Sequence, residues 1–327
     1  MAMTSSRREV LATIGATLAF ATLPARAQSA YPARPVRLIV PFPPGGGTDA
    51  LARILAAELA KSWPHPLIVD NRAGAQGNIG TAAAIKAPPD GYTLVFCHQG
   101  VLTVNAHMYA SIGFDPRTDL VPVLRATEQP FVLVAHPSLP AQSLRELTEL
   151  AKRQPGKLTF ASSSSGPQMA GEMYKMAAGV DLLHIPYKGA GPAVTDLLGG
   201  QVNLMFANPT AVAPHVRAGK LRAIAVFGKR RTDVLPDTPT AVEAGYPQLG
   251  EFPEWYGLAV PVGTPAAIVR QLETDFTRTL NTPDVQKALR DLGLSPAPLG
   301  GEEFGRQIRR DYEAWGKVVK ASGVKAE

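Results

Sequence analysis

Six short segments concentrate the groups that could hold a small anion: PFPPGGGTD (41–49), NRAGAQGNIG (71–80), HQG (98–100), SSSSGPQ (162–168), PYKGAG (186–191) and ANPT (207–210). Gly45, Gly46 and Gly47 lack a Cβ and can adopt φ > 0, so their backbone N–H groups can converge on one point. The helix expected after Thr48, over Ala50–Lys61, would add its unpaired N–H groups and the positive end of its dipole. Gly77 and Asn78, then His98, then Ser163, Ser164 and Ser165, then Asn208 occupy corresponding places in the other segments. Gly, Ser, Thr and Asn on two facing rims would suit a carboxylate held by hydrogen bonds rather than by salt bridges. Plainer readings stand beside this one. Gly-rich turns join strands to helices in any α/β protein, a serine run can be simple loop, and Lys188 reads as a solvated surface cation. His98 reads as a hydrogen-bonding rim residue rather than a base. Asp49 suits a helix first turn but would repel a nearby anion, so it reads as a brace unless the ligand carries an N–H group.

Catalytic patterns are missing. There is no G-x-x-x-x-G-K-[ST] and no G-x-G-x-x-G, and Gly74, Gly77 and Gly80 are wrongly spaced for the latter. No G-x-S-x-G surrounds a serine. The six histidines show no metal-ligand spacing with one another or with the single Cys97. Cys97, inside YTLVFC, reads as a small buried apolar residue. No enzyme, cofactor or metal is expected. The formal charge of +6 is scattered, with no basic tract longer than Lys229-Arg230-Arg231, which argues against a nucleic-acid partner.

The elements that would position these loops alternate in type. Strands are expected at Val36–Val40, Leu67–Val69, Tyr92–Cys97, Phe131–Ala135, Leu158–Ala161, Leu182–Ile185, Val202–Phe206, Leu221–Val226 and Trp255–Val260. Helical patterns lie between them, one opened by a capping-box spacing at Ser143–Glu146, and two more, Ala266–Leu280 and Glu302–Ala321, close the chain. The pattern predicts an α/β fold with largely parallel sheets, whose ligand would sit outside the carboxyl ends of the strands. The final helices need a sheet to cover, and the first sheet lacks enough helices of its own. A chain that leaves the first lobe near Val121–Thr127 and returns near Phe252–Val260 would supply them, making a two-lobed fold with two crossing segments. The expected division is 28–127 plus 252–327 for one lobe and 128–251 for the other.

The N-terminus has a twin-arginine pair, Arg7-Arg8, a short apolar run from Val10 to Leu23, and Ala25-Arg26-Ala27, which together read as an export signal ending at residue 27. Its removal would leave about 300 residues starting at Gln28, with the formal charge lowered from +6 to +4 by loss of Arg7, Arg8, Arg26 and Glu9.

The order and spacing of YPARPVRLIVPFPPGGGTD, NRAGAQGNIG, PPDGYTL, HIPYKGAGPAVTDLLGGQV, AGKLRAIAVFGKRR and LPDTPTAVEAG make the chain resemble the substrate-binding proteins of tripartite tricarboxylate transporters, the Bug family. The resemblance covers residues 31 to about 290. It implies a type II periplasmic binding-protein fold of flytrap form, a periplasmic location, no catalysis, a small carboxylate ligand and membrane transporter subunits as partners. A sensor that presents its carboxylate to a membrane receptor is the alternative. The first Gly-rich loop, Phe42–Asp49, would hold the carboxylate, with Phe42 and Pro43 among its contacts, and Tyr187 would contact the ligand from the second lobe. Where the family usually has a Gly and then a His, this chain has SSSS followed by Gln168 and Met169, and Ala207 replaces a common Asp. Those departures remove polar groups, and so predict a ligand with one carboxylate and an apolar or aromatic body.

Overall fold

The computed structural model describes residues 31–326; the expected export signal, 1–27, lies outside them. The first half runs β1 (Val36–Val40), α1 (Gly47–Leu59), β2 (Leu67–Asn71), α2 (Asn78–Ile85), β3 (Thr93–His98), α3 (Asn105–Met108) and β4 (Leu120–Gln129). Pro130 alone separates β4 from β5 (Phe131–Ala135), which leads into α4 (Leu144–Arg153), β6 (Thr159–Ser162), α5 (Ser165–Ala178), β7 (Leu183–Pro186), α6 (Ala190–Leu198), β8 (Leu204–Ala207), α7 (Pro209–Arg217) and β9 (Arg222–Phe227). The chain returns through β10 (Glu254–Pro261) and ends with α8 (Ala266–Leu280), α9 (Pro283–Asp291), β11 (Ser295–Gly300) and α10 (Gly301–Ser322).

Two sheets result. One has the order β11-β4-β10-β3-β1-β2, the other β7-β6-β8-β5-β9. The first therefore takes strands from both ends of the described chain, and the second from its middle. Local signals place several elements. Ser143 Oγ accepts the Glu146 N–H at 3.2 Å, and the Glu146 carboxylate accepts the Gln142 N–H at 2.8 Å, so the capping residues start α4 as expected. Pro209 opens α7, where its missing N–H costs nothing. Pro296 and Pro298 are tolerated in β11 because it is an edge strand with a register shift.

The expectation of largely parallel sheets is corrected. β10 runs antiparallel to β3 and β4, and β5 runs antiparallel to β8 and β9. The cause is the double crossing. The strands of each lobe end at the cleft, so a strand arriving from the other lobe must start there and run the opposite way.

The closing helices cover the first sheet. Leu272, Phe276 and Leu280 of α8 and Val285 and Leu289 of α9 pack with Leu51, Leu55 and Leu59 of α1 on Leu38, Phe96 and Leu258. On the other face Phe304 and Ile308 of α10 meet Ala84 of α2, Val95 and Trp255. Burying each such Leu or Phe side chain contributes about 1.5–3 kcal/mol, which fixes the strands whose ends carry the loops. Cys97 is part of this second layer, and burial raises its thiol far above the ordinary range.

Candidate functional site

The strands that precede the six loops run parallel within each sheet, so their carboxyl ends point the same way, and each loop leads into a helical segment. The lobes touch at several points. A Cβ built on Gly47, at the start of α1, would lie 3.2 Å from Thr210 Oγ1, at the start of α7, and 3.5 Å from the Tyr256 hydroxyl. One on Gly189 would lie 3.4 Å from Pro43, and one on Gly100 would lie 2.6 Å from Ser165 Oγ and 2.9 Å from the Gly166 nitrogen at the start of α5. The N-termini of α1, α5 and α7 thus face one cleft from both sides, each offering N–H groups and the positive end of its dipole.

The cleft floor is set by strand register. On β10, Tyr256 stands opposite His98 of β3 and Thr127 of β4, and Glu254 stands opposite Gln129. Residues two apart share a face, so these five side chains project together. Asn208 Nδ2 donates to the Tyr256 hydroxyl at 2.6 Å, a bond between the lobes. The Gly100 N–H donates to His98 Nδ1 at 3.1 Å, which assigns the ring proton to Nε2. That nitrogen stands 3.1 Å from Glu254 Oε1, and Gln129 Nε2 donates to Glu254 Oε2 at 3.3 Å. Glu254 is 0% exposed. Burial first, and the Glu254 carboxylate second, push the Tyr256 phenol well above its ordinary range. The Phe42 ring packs on His98 with centroids 4.6 Å apart.

Several buried polar atoms here have no hydrogen-bond partner: both side-chain amide atoms of Gln99, Thr127 Oγ1, Gln129 Oε1, Ser165 Oγ, Asn208 Oδ1 and Thr210 Oγ1. An unpaired buried polar group costs about 1–3 kcal/mol, so a polar molecule in the cleft that paired with these atoms would be stabilised there.

The residues expected from sequence fall into three groups. Phe42, Pro43, Gly46, His98, Ser164, Ser165 and Asn208 lie on the cleft, with Ser164 and Asn208 at the helix starts. Gly45 and Asp49 brace the first loop. Gly45 has φ +90°, and its N–H donates to Asp49 Oδ2 at 3.0 Å, as does Arg53 Nε at 3.0 Å. Burial would raise the Asp49 carboxyl, but the Arg53 guanidinium and the Gly45 N–H outweigh it and hold it below the usual range. Thr48 is buried beside it. The third group is engaged elsewhere. Asn78 Oδ1 accepts from Asn105 Nδ2 at 2.7 Å, and the Tyr187 hydroxyl donates to Asp196 at 2.7 Å within its own lobe. The Asp196 bond follows burial as a cause that pushes the Tyr187 phenol up to about 12. Gly77 packs against Phe42 and Val101, and Ser163 is half-buried.

Sequence reasoning named the segments that hold Gln99 and Thr210 but not those side chains, and missed Thr127, Gln129, Glu254 and Tyr256 as site residues. The available signal was a polar residue at each end of the two crossing segments, QP at 129–130 and PE at 253–254. It also missed the left-handed φ of Ala75 (45°) and Gln76 (50°), in a loop where Gln76 Oε1 is buried and unpartnered. Met169, standing near the family's usual His, packs between the lobes with Val104, Met108 and Trp315. A separate open groove of about 730 Å³ lies beside the hinge between Arg125, Lys229, Arg230 and Arg310, and none of its lining side chains but Gln129 holds a buried unpartnered atom.

Two hinged α/β lobes closing on a cleft of helix N-termini define a two-lobed solute-binding protein of the periplasmic type. The comparisons place it further: the chain belongs to the family described as the tripartite tricarboxylate transporter family receptor, whose model matches residues 51–324. It is 39% identical to Protein BugT of Bordetella pertussis over 320 residues, covering 97% of this chain and 98% of that one. The structure of R. palustris Rpa4515 with adipate is 35% identical, has a TM-score of 0.87, and covers 90% of this chain and 99% of its own. That of the periplasmic binding protein BugD is 34% identical, with a TM-score of 0.85, covering 91% and 100%. The family comprises periplasmic substrate receptors for transport rather than enzymes.

Proposed function

We propose that the protein captures a small carboxylate between its lobes in the periplasm and delivers it to a tripartite tricarboxylate-type membrane transporter. The observation that carries this is the convergence of the α1, α5 and α7 N-termini on one interlobe cleft whose neutral side chains hold buried, unpartnered polar atoms. None of the contacts described across the cleft is made by a Lys or Arg, so the carboxylate would be bound by hydrogen bonds and dipoles. Phe42 and Pro43 offer an apolar wall for the ligand's body. The two sheets would move as units about Gln129–Phe131 and Gly250–Glu254, and residues 1–27 would direct export.

The test is a thermal-shift screen of refolded, ligand-stripped protein starting at Gln28, against mono-, di-, tri- and aromatic carboxylates. A ligand at 100 times its dissociation constant adds about 2.7 kcal/mol and raises the melting temperature visibly. A flat response across the panel would overturn the carboxylate assignment.

A further inference from the structure

Glu254 is out of keeping with an anion receptor. It is the first residue of β10, wholly buried, and sits at the hinge end of a cleft expected to attract carboxylates. It also stands against the second lobe: a Cβ on Gly166, in the first turn of α5, would lie 3.1 Å from its Oε1. The protein's own carboxylate therefore already faces the positive end of α5. The N-termini of α1 and α7 meet instead around the Tyr256 hydroxyl, on the same face of the strand and close enough to Glu254 for its carboxylate to raise the Tyr256 phenol.

The surroundings offer this carboxylate neutral donors and, among the described residues, no cation. His98 Nδ1 accepts from the Gly100 N–H, so the ring faces Glu254 with its Nε2–H. Gln129 donates to Oε2. No Lys or Arg ion pair to Glu254 is present among the described residues. Oε1, though near His98, lacks an aligned hydrogen bond, and Gln129 Oε1 beside it is also unpartnered. Two buried acceptors, Glu254 Oε1 and Gln129 Oε1, thus lack aligned donors here.

Resting on the carboxylate-receptor reading, we propose that Glu254 is a specificity-determining residue: the cleft takes monocarboxylates that carry a hydroxyl or amino donor at the far end, and disfavours dicarboxylates. A second ligand carboxylate would have to lie against Glu254 in a water-poor site, where like charges repel strongly. The donor of the preferred ligand would pair Glu254 Oε1 or Gln129 Oε1 instead.

The experiment is calorimetric titration of ligand-stripped protein with length-matched pairs: adipate, glutarate and succinate, each against its ω-hydroxy and ω-amino acid. In at least one length class the donor-bearing acid should bind at least about tenfold more tightly than the dicarboxylate. Glu254→Gln should narrow that ratio by about tenfold by strengthening dicarboxylate binding. The wild-type ratios decide the question even if the variant folds poorly. Dicarboxylates binding as tightly as their partners would overturn the proposal, and so would a ratio unchanged in a folded E254Q. If no carboxylate of any class binds, the receptor reading itself falls and takes this proposal with it, which is a different result from a wrong preference.

Discussion

Gly100 gives a way to oppose closure where the lobes meet. Its φ lies outside the left-handed region, so alanine is acceptable to the local backbone. The added Cβ meets His98 Nδ1 of its own lobe at 3.4 Å, an ordinary contact, but meets the second lobe at 2.6 Å from Ser165 Oγ and 2.9 Å from the Gly166 nitrogen. The serine hydroxyl can rotate away; the backbone nitrogen cannot. Overpacking of this kind costs about 1–3 kcal/mol, and the cost falls only on the closed form. If the closed form binds, apparent affinity drops with its population, by about 5- to 150-fold for that energy range. Calorimetric titration of Gly100→Ala with the best carboxylate of the screen gives the affinity, and small-angle scattering shows whether ligand still compacts the molecule. Gly191→Ala, in the first turn of α6 with nothing within 4 Å of its built Cβ, serves as the control and should change affinity by less than about 0.5 kcal/mol. Wild-type affinity and wild-type compaction in G100A would refute the claim that these lobes meet as described on binding.

Tyr256→Phe removes the hydroxyl that accepts from Asn208 Nδ2, and should weaken ligand binding through a loss of about 1–3 kcal/mol in the closed form. Adding Asn208→Ala to it should cost much less than Asn208→Ala costs alone; strictly additive losses would argue against the cross-lobe bond. His184, with Nε2 2.8 Å from Ser162 Oγ, has its imidazole lowered from 6.5 to about 4 by burial and then by the Lys175 charge. Between those values the unfolded chain binds the proton and the folded one does not, so stability falls as pH drops through this window and levels off below about 4. Urea midpoints should therefore fall more steeply with acid for wild type than for His184→Gln, and parallel curves would contradict the assignment.

Much of this could be read from the chain because the signals were local. Gly-rich segments after short apolar runs marked the strand ends, the Ser143–Glu146 spacing marked α4, and Ala266–Leu280 was bounded correctly by its helical period. What escaped depends on register and on contacts distant in sequence. β11 carries two prolines and was not among the expected strands; only its place at the sheet edge makes it one. Tyr187 sits in the expected loop, but its hydroxyl turns to Asp196 on α6, a choice no spacing reveals. Glu254 and Gln129 are 125 positions apart and become neighbours only because β10 returns antiparallel beside β4.

That return strand would join recognition to motion if the cleft binds as proposed. A chain that crosses twice must start β10 at the cleft, and the first residues of a strand starting there lie in the site. Glu254 and Tyr256 therefore belong to the hinge segment and to the floor at once. Tyr256 binds Asn208 of the second lobe, and Glu254 lies against the first turn of α5, so both feel any rotation of that lobe. A ligand that pairs with either one changes the energy of closure directly, with no relay through intervening side chains. In such an arrangement, substitutions at these two positions should alter affinity and the extent of closure together. Substitutions that strip the apolar wall, such as Phe42→Ala, should alter affinity alone.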